Sequence, residues 1–347
     1  MKKIFNIIIL ALTLIIGSGC EDNFDPKIYG VLTEQNFPVS EDDFVSLMMS
    51  CYIPYVNTWT YSLYASSGNM HPWYIPAGGV LKMFDSTSDM QAIWQSGVWS
   101  TNYRNITEAN FKNCVYATRG ALTDDLPNHY PKTREVTRFT AVIGTIQNAP
   151  AAQISETRKN EILAEARLCR GLHMYNLLHV FGPVPLIVNP EDVENPEALE
   201  NAERPALDDI TKWIYDDFEF AAKNAPESQV EKGRFTRDFA RVMLMRHCLN
   251  EGYHMDGYYQ KALDMYTELN TGNYRLFTQG ENTYKEMFRE VNDFNCEIIA
   301  AISCDPSSTG NPKEGGMNPF AMLSMPNNAA KKDDIGNPTP FSVVGPG

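Results

Sequence analysis

Two groups of side chains have the residue types that catalysis or metal binding would require. The run YDDFE, residues 215–219, places three carboxylates within five positions, and a pair of carboxylates performs most glycoside hydrolysis. His247 and His254 lie seven residues apart with Asp256 close behind, which is the beginning of a metal-ligand set. Any acidic helix face resembles the first pattern, and the second lacks a third ligand in register. We therefore predict no catalytic residue and no metal site here, and interpret the histidines as core or surface residues.

The short motifs of common enzyme classes are absent from the sequence. HExxH, GxSxG, GxxxxGK[ST] and GxGxxG do not occur, so nothing indicates a nucleophile elbow, a phosphate loop or a dinucleotide site. The sequence predicts a protein that is not an enzyme and that has no cofactor. Its net charge is −14, and an acidic chain without a basic patch cannot release counterions from a phosphate backbone, which excludes nucleic acid as the expected partner.

A local excess of aromatic residues favours binding over catalysis. Residues 52–74 contain seven aromatic side chains, whereas the chain average predicts about two or three. Tyr52, Tyr55 and Trp59 have helical spacing and are expected in the core. The remaining four lie in a loop rich in Gly, Pro and Ser and are candidates for an exposed platform on which sugar rings stack: Tyr61, Tyr64, Trp73 and Tyr74.

The same region offers polar groups that could bind sugar hydroxyls. Asn69, Asp85 and Asp89 carry the amide and carboxylate groups that such a site needs. An alternative stays open for each aromatic residue of the loop, which could instead fold back onto the helices. A second alternative for the whole chain is an assembly or peptide-binding component that does not bind sugar.

Hydrophobic periodicity predicts a mostly α-helical body in which these loops are insertions. Ser40 is the expected N-cap of the first helix. Apolar residues recur by threes and fours over six predicted helices, residues 41–59, 89–116, 156–181, 207–224, 236–251 and 256–269. Two short apolar runs, residues 184–188 and 297–303, predict strands.

The last two predicted helices fit the tetratricopeptide pattern, a helical hairpin of 34 residues. Ala262 is the small residue that would let two helices approach closely, while aromatic residues at neighbouring turns fill the groove. The residues that fit other positions of the repeat are Leu249, Tyr253, Gly257, Tyr259 and Tyr266. Arg246 and Asn250 do not fit it, and a generic helical hairpin is the alternative.

The run AEARLCRGLHMYNLLHVFGPVPLI, residues 164–187, predicts a helix that is buried on most sides. Charges inside such a helix must be paired. Because Glu165, Arg167 and Arg170 have no suitable partners on their own helix, their partners must come from other helices or from backbone carbonyls. We therefore interpret them as scaffold residues. Gly182 is expected to end the helix.

This run resembles the most distinctive motif of the SusD-like (RagB/SusD) family. The matching residues are Glu165, Ala166, Arg167, Arg170, Tyr175, Phe181, Gly182, Val184, Pro185 and Leu186. Further matches in the same order are GVLTEQNFPVSEDDF, YRNITEAN, GRFTRDFARVMLMRHCL, TGNYRLF and NCEIIAAIS. Cys169 and Gly171 depart from the family pattern.

The resemblance implies a mostly α fold of tetratricopeptide-like hairpins with irregular loop insertions. It also implies a lipoprotein that captures oligosaccharides and delivers them to a TonB-dependent (SusC-like) outer-membrane transporter. Family members usually continue beyond the point that corresponds to Gly347, so we expect residues 20–347 to form a SusD-like helical domain that is incomplete at its C-terminus.

The N-terminus predicts a lipoprotein signal peptide over residues 1–19. Two lysines precede an apolar run of 13 residues, and GSGC follows with small residues before Cys20. Gly17 stands where such signals usually have Leu. The expectation is lipidation of Cys20 and anchoring to the outer membrane, facing the exterior. No disulfide framework is expected, and Cys169 and Cys248 are predicted to be core residues.

Overall fold

A computed structural model describes residues 37–55, 72–74, 79–89, 105–110, 132–269 and 271–302. The helices of this part are α1 (Glu41–Met49), α2 (Val80–Ser86), α3 (Lys132–Gln147), α4 (Glu156–Phe181), α5 (Pro196–Glu200), α6 (Leu207–Asn224), α7 (Arg237–Glu251), α8 (Tyr258–Glu268) and α9 (Thr283–Met287). Short 3-10 helices cover Ser50–Tyr55, Pro190–Asp192, Thr271–Asn273 and Glu290–Asn292. The predicted mostly α fold is confirmed.

Helix α4 is the centre of the core. It packs against α1, α3 and α6, and α7 packs between α6 and α8. Sixteen of its residues are buried, so the prediction of a helix enclosed on most sides is correct. Ser155 begins it by accepting a hydrogen bond from the Arg158 backbone N–H, and Gly182 ends it with a φ of 71°, which a residue without Cβ adopts readily.

The first helix begins as predicted and ends earlier. Ser40 and Asp43 form a reciprocal capping box at the start of α1. The chain then tightens into the 3-10 helix Ser50–Tyr55, which contains Pro54 and cannot keep α-helical hydrogen bonding. Residues 56–59 and most of the predicted helix 89–116 lie outside the described residues.

Helix α3 was not predicted from the sequence. It contains four threonines and Gly144, which are poor helix formers, and its stability comes from burial of one face against α4. A Cβ on Gly144 would lie 2.8 Å from the Pro190 Cβ, so the glycine permits the 3-10 helix after α4 to approach α3.

Both strand predictions are wrong, because the described residues contain no strand. Within residues 184–188 the carbonyl of Ile187 accepts from the Thr140 hydroxyl and that of Val188 from Arg170. In residues 297–302 the Glu297 carboxylate accepts from the backbone N–H of Phe277. In both segments, hydrogen bonds between a side chain and the backbone of a distant segment therefore replace the ladder that a partner strand would provide.

The α7–α8 hairpin confirms part of the predicted repeat register. Ala262 is buried on α8, which packs against α7, and Gly257 precedes α8 with a φ of 80°. The prediction that aromatic residues at these positions fill the groove between the helices is wrong, since Tyr259 and Tyr266 are more than half exposed. Leu249 and Tyr253 are also more than half exposed. The face of α8 that packs inward carries Tyr258, Ala262 and Met265 instead, and the Tyr258 ring stacks on Tyr215 at 4.9 Å.

We expect Ala262→Leu to destabilise the protein by about 1–3 kcal/mol, because the larger side chain would overpack the contact between α7 and α8. Thermal unfolding measures this effect. Ala152→Leu is the matched control, since Ala152 is exposed in a turn and the same substitution there should change stability by less than about 0.5 kcal/mol. Equal midpoints for the two variants would contradict the close approach at Ala262.

No helix within the described ranges is long and apolar enough to cross a membrane.

Candidate functional site

The charged residues of α4 form the scaffold network that the sequence predicted. Arg167 donates from Nε to Asp217 Oδ1 at 2.7 Å, and Arg170 donates from Nε to Asp217 Oδ2 at 2.8 Å. Arg170 also donates to Thr140 Oγ1 and to the Val188 carbonyl. The Asp217 carboxylate is completely buried, so two guanidinium groups compensate for its loss of solvation.

Glu165 is paired in the same way with residues far along the chain. Tyr52 donates its hydroxyl proton to Glu165 at 2.7 Å, and Arg234 binds both carboxylate oxygens. The Tyr52 oxygen accepts in turn from the backbone N–H of Phe235 at 2.8 Å. This chain of hydrogen bonds joins the first helical segment, α4 and the start of α7, and it leaves Glu165 no role as a base.

The carboxylates of residues 215–219 are also committed to ion pairs. Asp216 binds Lys212 at 2.8 Å, and Glu219 binds Lys261 at 2.9 Å. Asp217 is bound by Arg167 and Arg170 of α4. Each of the three carboxylates therefore has different cationic partners. The described residues therefore offer no pair of free carboxylates here that could act on a glycosidic bond.

The two histidines lie in different environments and do not converge on a metal. His247 is buried and contacts the Thr211 carbonyl at 2.9 Å, and burial lowers its pKa to about 4. His254 bridges Asp208 and Glu251, each at 2.9 Å. Burial is the largest single influence on the pKa of His254 and lowers it, but hydrogen bonds to Glu251 and Asp208 and the charges of these carboxylates together raise the pKa above its ordinary value. In the described part of the chain no cluster of His, Cys, Asp and Glu could hold a metal ion.

The predicted aromatic platform is only partly visible. Tyr61, Tyr64 and Asn69 lie outside the described residues. Trp73 is completely buried, and the exposed position predicted for it is therefore wrong. Its backbone N–H donates to the Pro54 carbonyl at 2.9 Å, and its indole N–H donates to His173 of α4 at 2.8 Å. These bonds hold the ring in the core.

Tyr74, next to Trp73, lines a cavity of about 580 Å³. The cavity lies between α2, α4, α7 and the segment 300–302. Its volume is typical of small-molecule sites. Most of its wall is apolar: Tyr74, Val80, Phe84, Leu172, Phe235, Phe239, Met243, Ala300, Ala301 and Ile302. The Tyr74 ring is half-buried and stacks on Tyr55 at 6.2 Å.

The polar groups of the cavity come from α4 and α7: Tyr175, Asn176, His179, Arg246 and Asn250. The Asn250 amide donates to the Tyr175 hydroxyl at 2.8 Å, and the Asn176 amide lies 3.5 Å from the Tyr74 hydroxyl. The His179 ring stacks on Tyr175 at 4.1 Å. Fixed amides, phenols and aromatic faces thus line one pocket.

Asp85 and Asp89 lie near this cavity on the chain. Both are exposed, Asp85 within α2 and Asp89 just after it. Phe84, adjacent to Asp85, is 44% exposed and lines the cavity. Of the residues predicted from the sequence, Tyr74 lines this cavity, whereas Asp85 and Asp89 are not among its lining residues.

The polar residues on α4 and α7 were missed as site residues. Two signals were available in the sequence. Asn176 is a polar residue in an otherwise apolar run, and the spacing of four residues between Tyr175 and His179 and between Arg246 and Asn250 places each pair on one helix face.

Comparison with known proteins agrees with this architecture. The family model SusD-like_3, described as starch-binding associating with outer membrane, matches residues 56–249, which is more than half of the chain. The chain belongs to the SusD-like family. A SusD-like protein of Bacteroides ovatus is 31% identical over 180 residues, which are 49% of this chain and 31% of that protein.

Solved structures share the fold at low sequence identity. A SusD-like protein from Bacteroides fragilis superposes with a TM-score of 0.61 at 16% identity, covering 88% of this chain and 51% of the other. A laminarin-binding SusD-like protein superposes with a TM-score of 0.58 at 18% identity, covering 87% of this chain and 60% of the other. Surface glycan-binding protein A from Bacteroides fluxus superposes with a TM-score of 0.56 at 18% identity, covering 80% of this chain and 54% of the other.

This SusD-like chain spans about a third of the curated relative and about half to three fifths of these structures. The match to the family model, residues 56–249, includes α4 with its charged motif and most of α7.

Proposed function

We propose that this SusD-like chain captures an oligosaccharide without cleaving it. The proposed site consists of the cavity lined by Tyr74 and of the loop of residues 61–74. The observation that carries the proposal is the combination of aromatic faces and fixed amides around one cavity of about 580 Å³. Pyranose rings stack on aromatic faces, and their hydroxyls need amide, hydroxyl or carboxylate partners. Family membership supports the same ligand class, as do the names of two structural relatives, one glycan-binding and one laminarin-binding.

The described carboxylates support binding rather than hydrolysis. Glu165 and Asp217 are buried in ion pairs with arginines, and Glu219 is paired with Lys261. A glycosidase needs one carboxylic acid and one carboxylate that both reach the scissile bond. Analysis of reducing ends after long incubation with oligosaccharides tests this part, and released products would contradict a non-enzymatic role.

The loop and its neighbours form the proposed ligand surface. We assign stacking to Tyr61, Tyr64 and Tyr74, and hydrogen bonding to hydroxyls to Asn69, Asp85 and Asp89. Trp73 supports this surface from the core through its bond to His173.

Replacement of a stacking ring is expected to weaken glycan binding by about five- to thirtyfold, equivalent to roughly 1–2 kcal/mol. Calorimetry with a glycan panel on wild type, Tyr64→Ala and Tyr74→Ala measures it. Tyr266→Ala is the matched control, because Tyr266 is 61% exposed on α8 and does not line the cavity. Thermal unfolding of each variant separates lost contacts from lost folding.

The outcomes of this experiment distinguish the proposal from its alternative. Equal affinities of wild type and both loop variants for the glycan would show that the sugar binds at another part of the protein. A protein that binds no glycan but binds peptides in a parallel assay would instead be the assembly or peptide-binding component.

We also propose that the protein is anchored to the outer membrane through lipidated Cys20 and delivers its ligand to a TonB-dependent transporter. Two or more acyl chains hold a protein on a membrane stably. We expect Cys20→Ala to release the protein from the membrane fraction or to stall its processing. Unchanged partitioning of that variant would contradict the anchor, and failure to co-purify any outer-membrane transporter with the wild type would contradict the partner.

A further inference from the structure

We propose that the ligand of the cavity beside Tyr74 is an acidic oligosaccharide, whose uronic acid carboxylate is bound by the guanidinium of Arg246. The inference rests on the proposed function and specifies its ligand class.

Arg246 differs from the other arginines of α7 in its pairing. Arg237 binds Glu227 at 3.2 Å, and Arg241 binds Asp238 at 3.1 Å. Arg246 is exposed and lines the cavity. Among the described residues no carboxylate forms an ion pair with it, and it lines the cavity together with Tyr175.

The guanidinium therefore adds a positive charge to the lining of the cavity. Burial raises the pKa of the Tyr74 hydroxyl and of the Tyr175 hydroxyl, and the positive charge of Arg246 acts in the opposite direction on both. This shared influence places Arg246 within electrostatic reach of the two phenols in the pocket. A ligand group near those phenols meets a positive charge.

Glu251, a carboxylate that follows Arg246 on the same helix, is already compensated. Glu251 lies next to Asn250, and its carboxylate binds His254 at 2.9 Å and approaches His179 at 3.7 Å. The Glu251 side chain is only 8% exposed. Glu251 therefore forms no ion pair with Arg246, and the charge of Arg246 is available to a ligand in the cavity.

This arrangement fits a sugar acid better than a neutral sugar. A guanidinium binds a carboxylate through two parallel N–H···O bonds, while the amides of Asn176 and Asn250 can bind hydroxyls and the ring of Tyr74 can support a pyranose face. The net charge of the chain is −14, which repels anions at long range. Selection of an acidic ligand therefore requires a local cation, and Arg246 supplies it at the cavity.

The test uses ligands that differ only in the carboxylate. Tri- and tetrasaccharides of galacturonic, glucuronic and mannuronic acid are compared with the same compounds after chemical reduction of their carboxyl groups to alcohols. For at least one pair, wild type is expected to bind the acidic form about ten- to hundredfold more tightly than the reduced form. The preference should decrease as salt is raised.

Variants assign the effect to one residue. Arg246→Gln is expected to bind the acidic and reduced forms with nearly equal affinity, and Arg246→Lys should keep part of the preference because it retains the charge without the bidentate geometry. Arg275→Gln is the control, since it removes the same charge from an exposed arginine that does not line the cavity. It should keep the wild-type preference.

The results separate this inference from the proposed function. Tight binding of neutral or reduced oligosaccharides with no preference for acids would overturn the ligand class and leave glycan capture intact. A preference that persists in Arg246→Gln would overturn the role of Arg246. Absence of binding to every acidic, reduced and neutral oligosaccharide would overturn both.

Discussion

Asp217→Ala is expected to lower the free energy of unfolding by about 3–5 kcal/mol. The carboxylate of Asp217 is completely buried and accepts from Arg167 at 2.7 Å and from Arg170 at 2.8 Å and 2.9 Å. Its removal leaves two guanidinium groups without their anion, and the Arg170 side chain is only 9% exposed. An unpaired buried charge costs far more than the pair contributes.

Asp216→Ala is the matched control for this prediction. Asp216 is the preceding residue on α6, and its pair with Lys212 is exposed, with side-chain exposures of 42% and 63%. Such a surface pair contributes at most about 0.5 kcal/mol. Urea unfolding of both variants measures the contrast, and a loss for Asp217→Ala no greater than that for Asp216→Ala would show that α4 and α6 do not depend on the buried pair.

Trp73→Ala is expected to destabilise the protein by about 3–5 kcal/mol through the cavity that it would create. Trp73 is completely buried and is among the largest buried side chains of the described residues. The Lys132 Nζ lies 3.9 Å from the ring centroid, and the indole N–H donates to His173 Nδ1 at 2.8 Å. The substitution removes apolar volume, the contact with Lys132 and a hydrogen bond together.

The state of His173 makes a second variant informative. Burial lowers the pKa of His173 well below its ordinary value, so its ring is neutral at pH 7. Its Nε2 faces the Lys132 carbonyl at 2.9 Å, which makes Nδ1 the acceptor for Trp73. Trp73→Phe keeps an aromatic ring but leaves that acceptor unpaired, and we expect an intermediate loss of about 1–3 kcal/mol.

Chemical denaturation measures the Trp73 series, with Tyr266→Ala as its control. Tyr266 is 61% exposed, so its removal should change stability by no more than about 0.5 kcal/mol. If Trp73→Ala proved as stable as that control and lost glycan binding instead, Trp73 would be a ligand contact rather than a core residue.

The sequence alone determined the long helices and the charges inside them. The predicted bounds 156–181 and 207–224 coincide with α4 and α6, because a long run of residues compatible with a helix, rich in apolar positions, specifies a helix locally. The scaffold role of Glu165, Arg167 and Arg170 also followed from the sequence, since charges in a buried helix must have partners. The family resemblance followed from the order of the motifs.

The identity of those partners was decided by the tertiary structure. Asp217 lies 47 residues from Arg170, and Arg234 lies 69 residues from Glu165. Periodicity within one helix contains no information about which neighbour faces it. The same holds for α8, whose sequence offers Tyr258 and Tyr259 side by side, while only packing against α6 and α7 selects Tyr258 for the interior.

The candidate site depended on the tertiary structure most of all. Trp73 and Tyr74 are adjacent in one loop, yet a hydrogen bond to His173 takes the first into the core, whereas the second lines the cavity. The cavity itself combines residues from α2, α4, α7 and the segment 300–302. Composition identified an aromatic-rich loop, but the positions of the Trp73 and Tyr74 rings depend on partners about 100 residues away, and those become neighbours only when the helices pack.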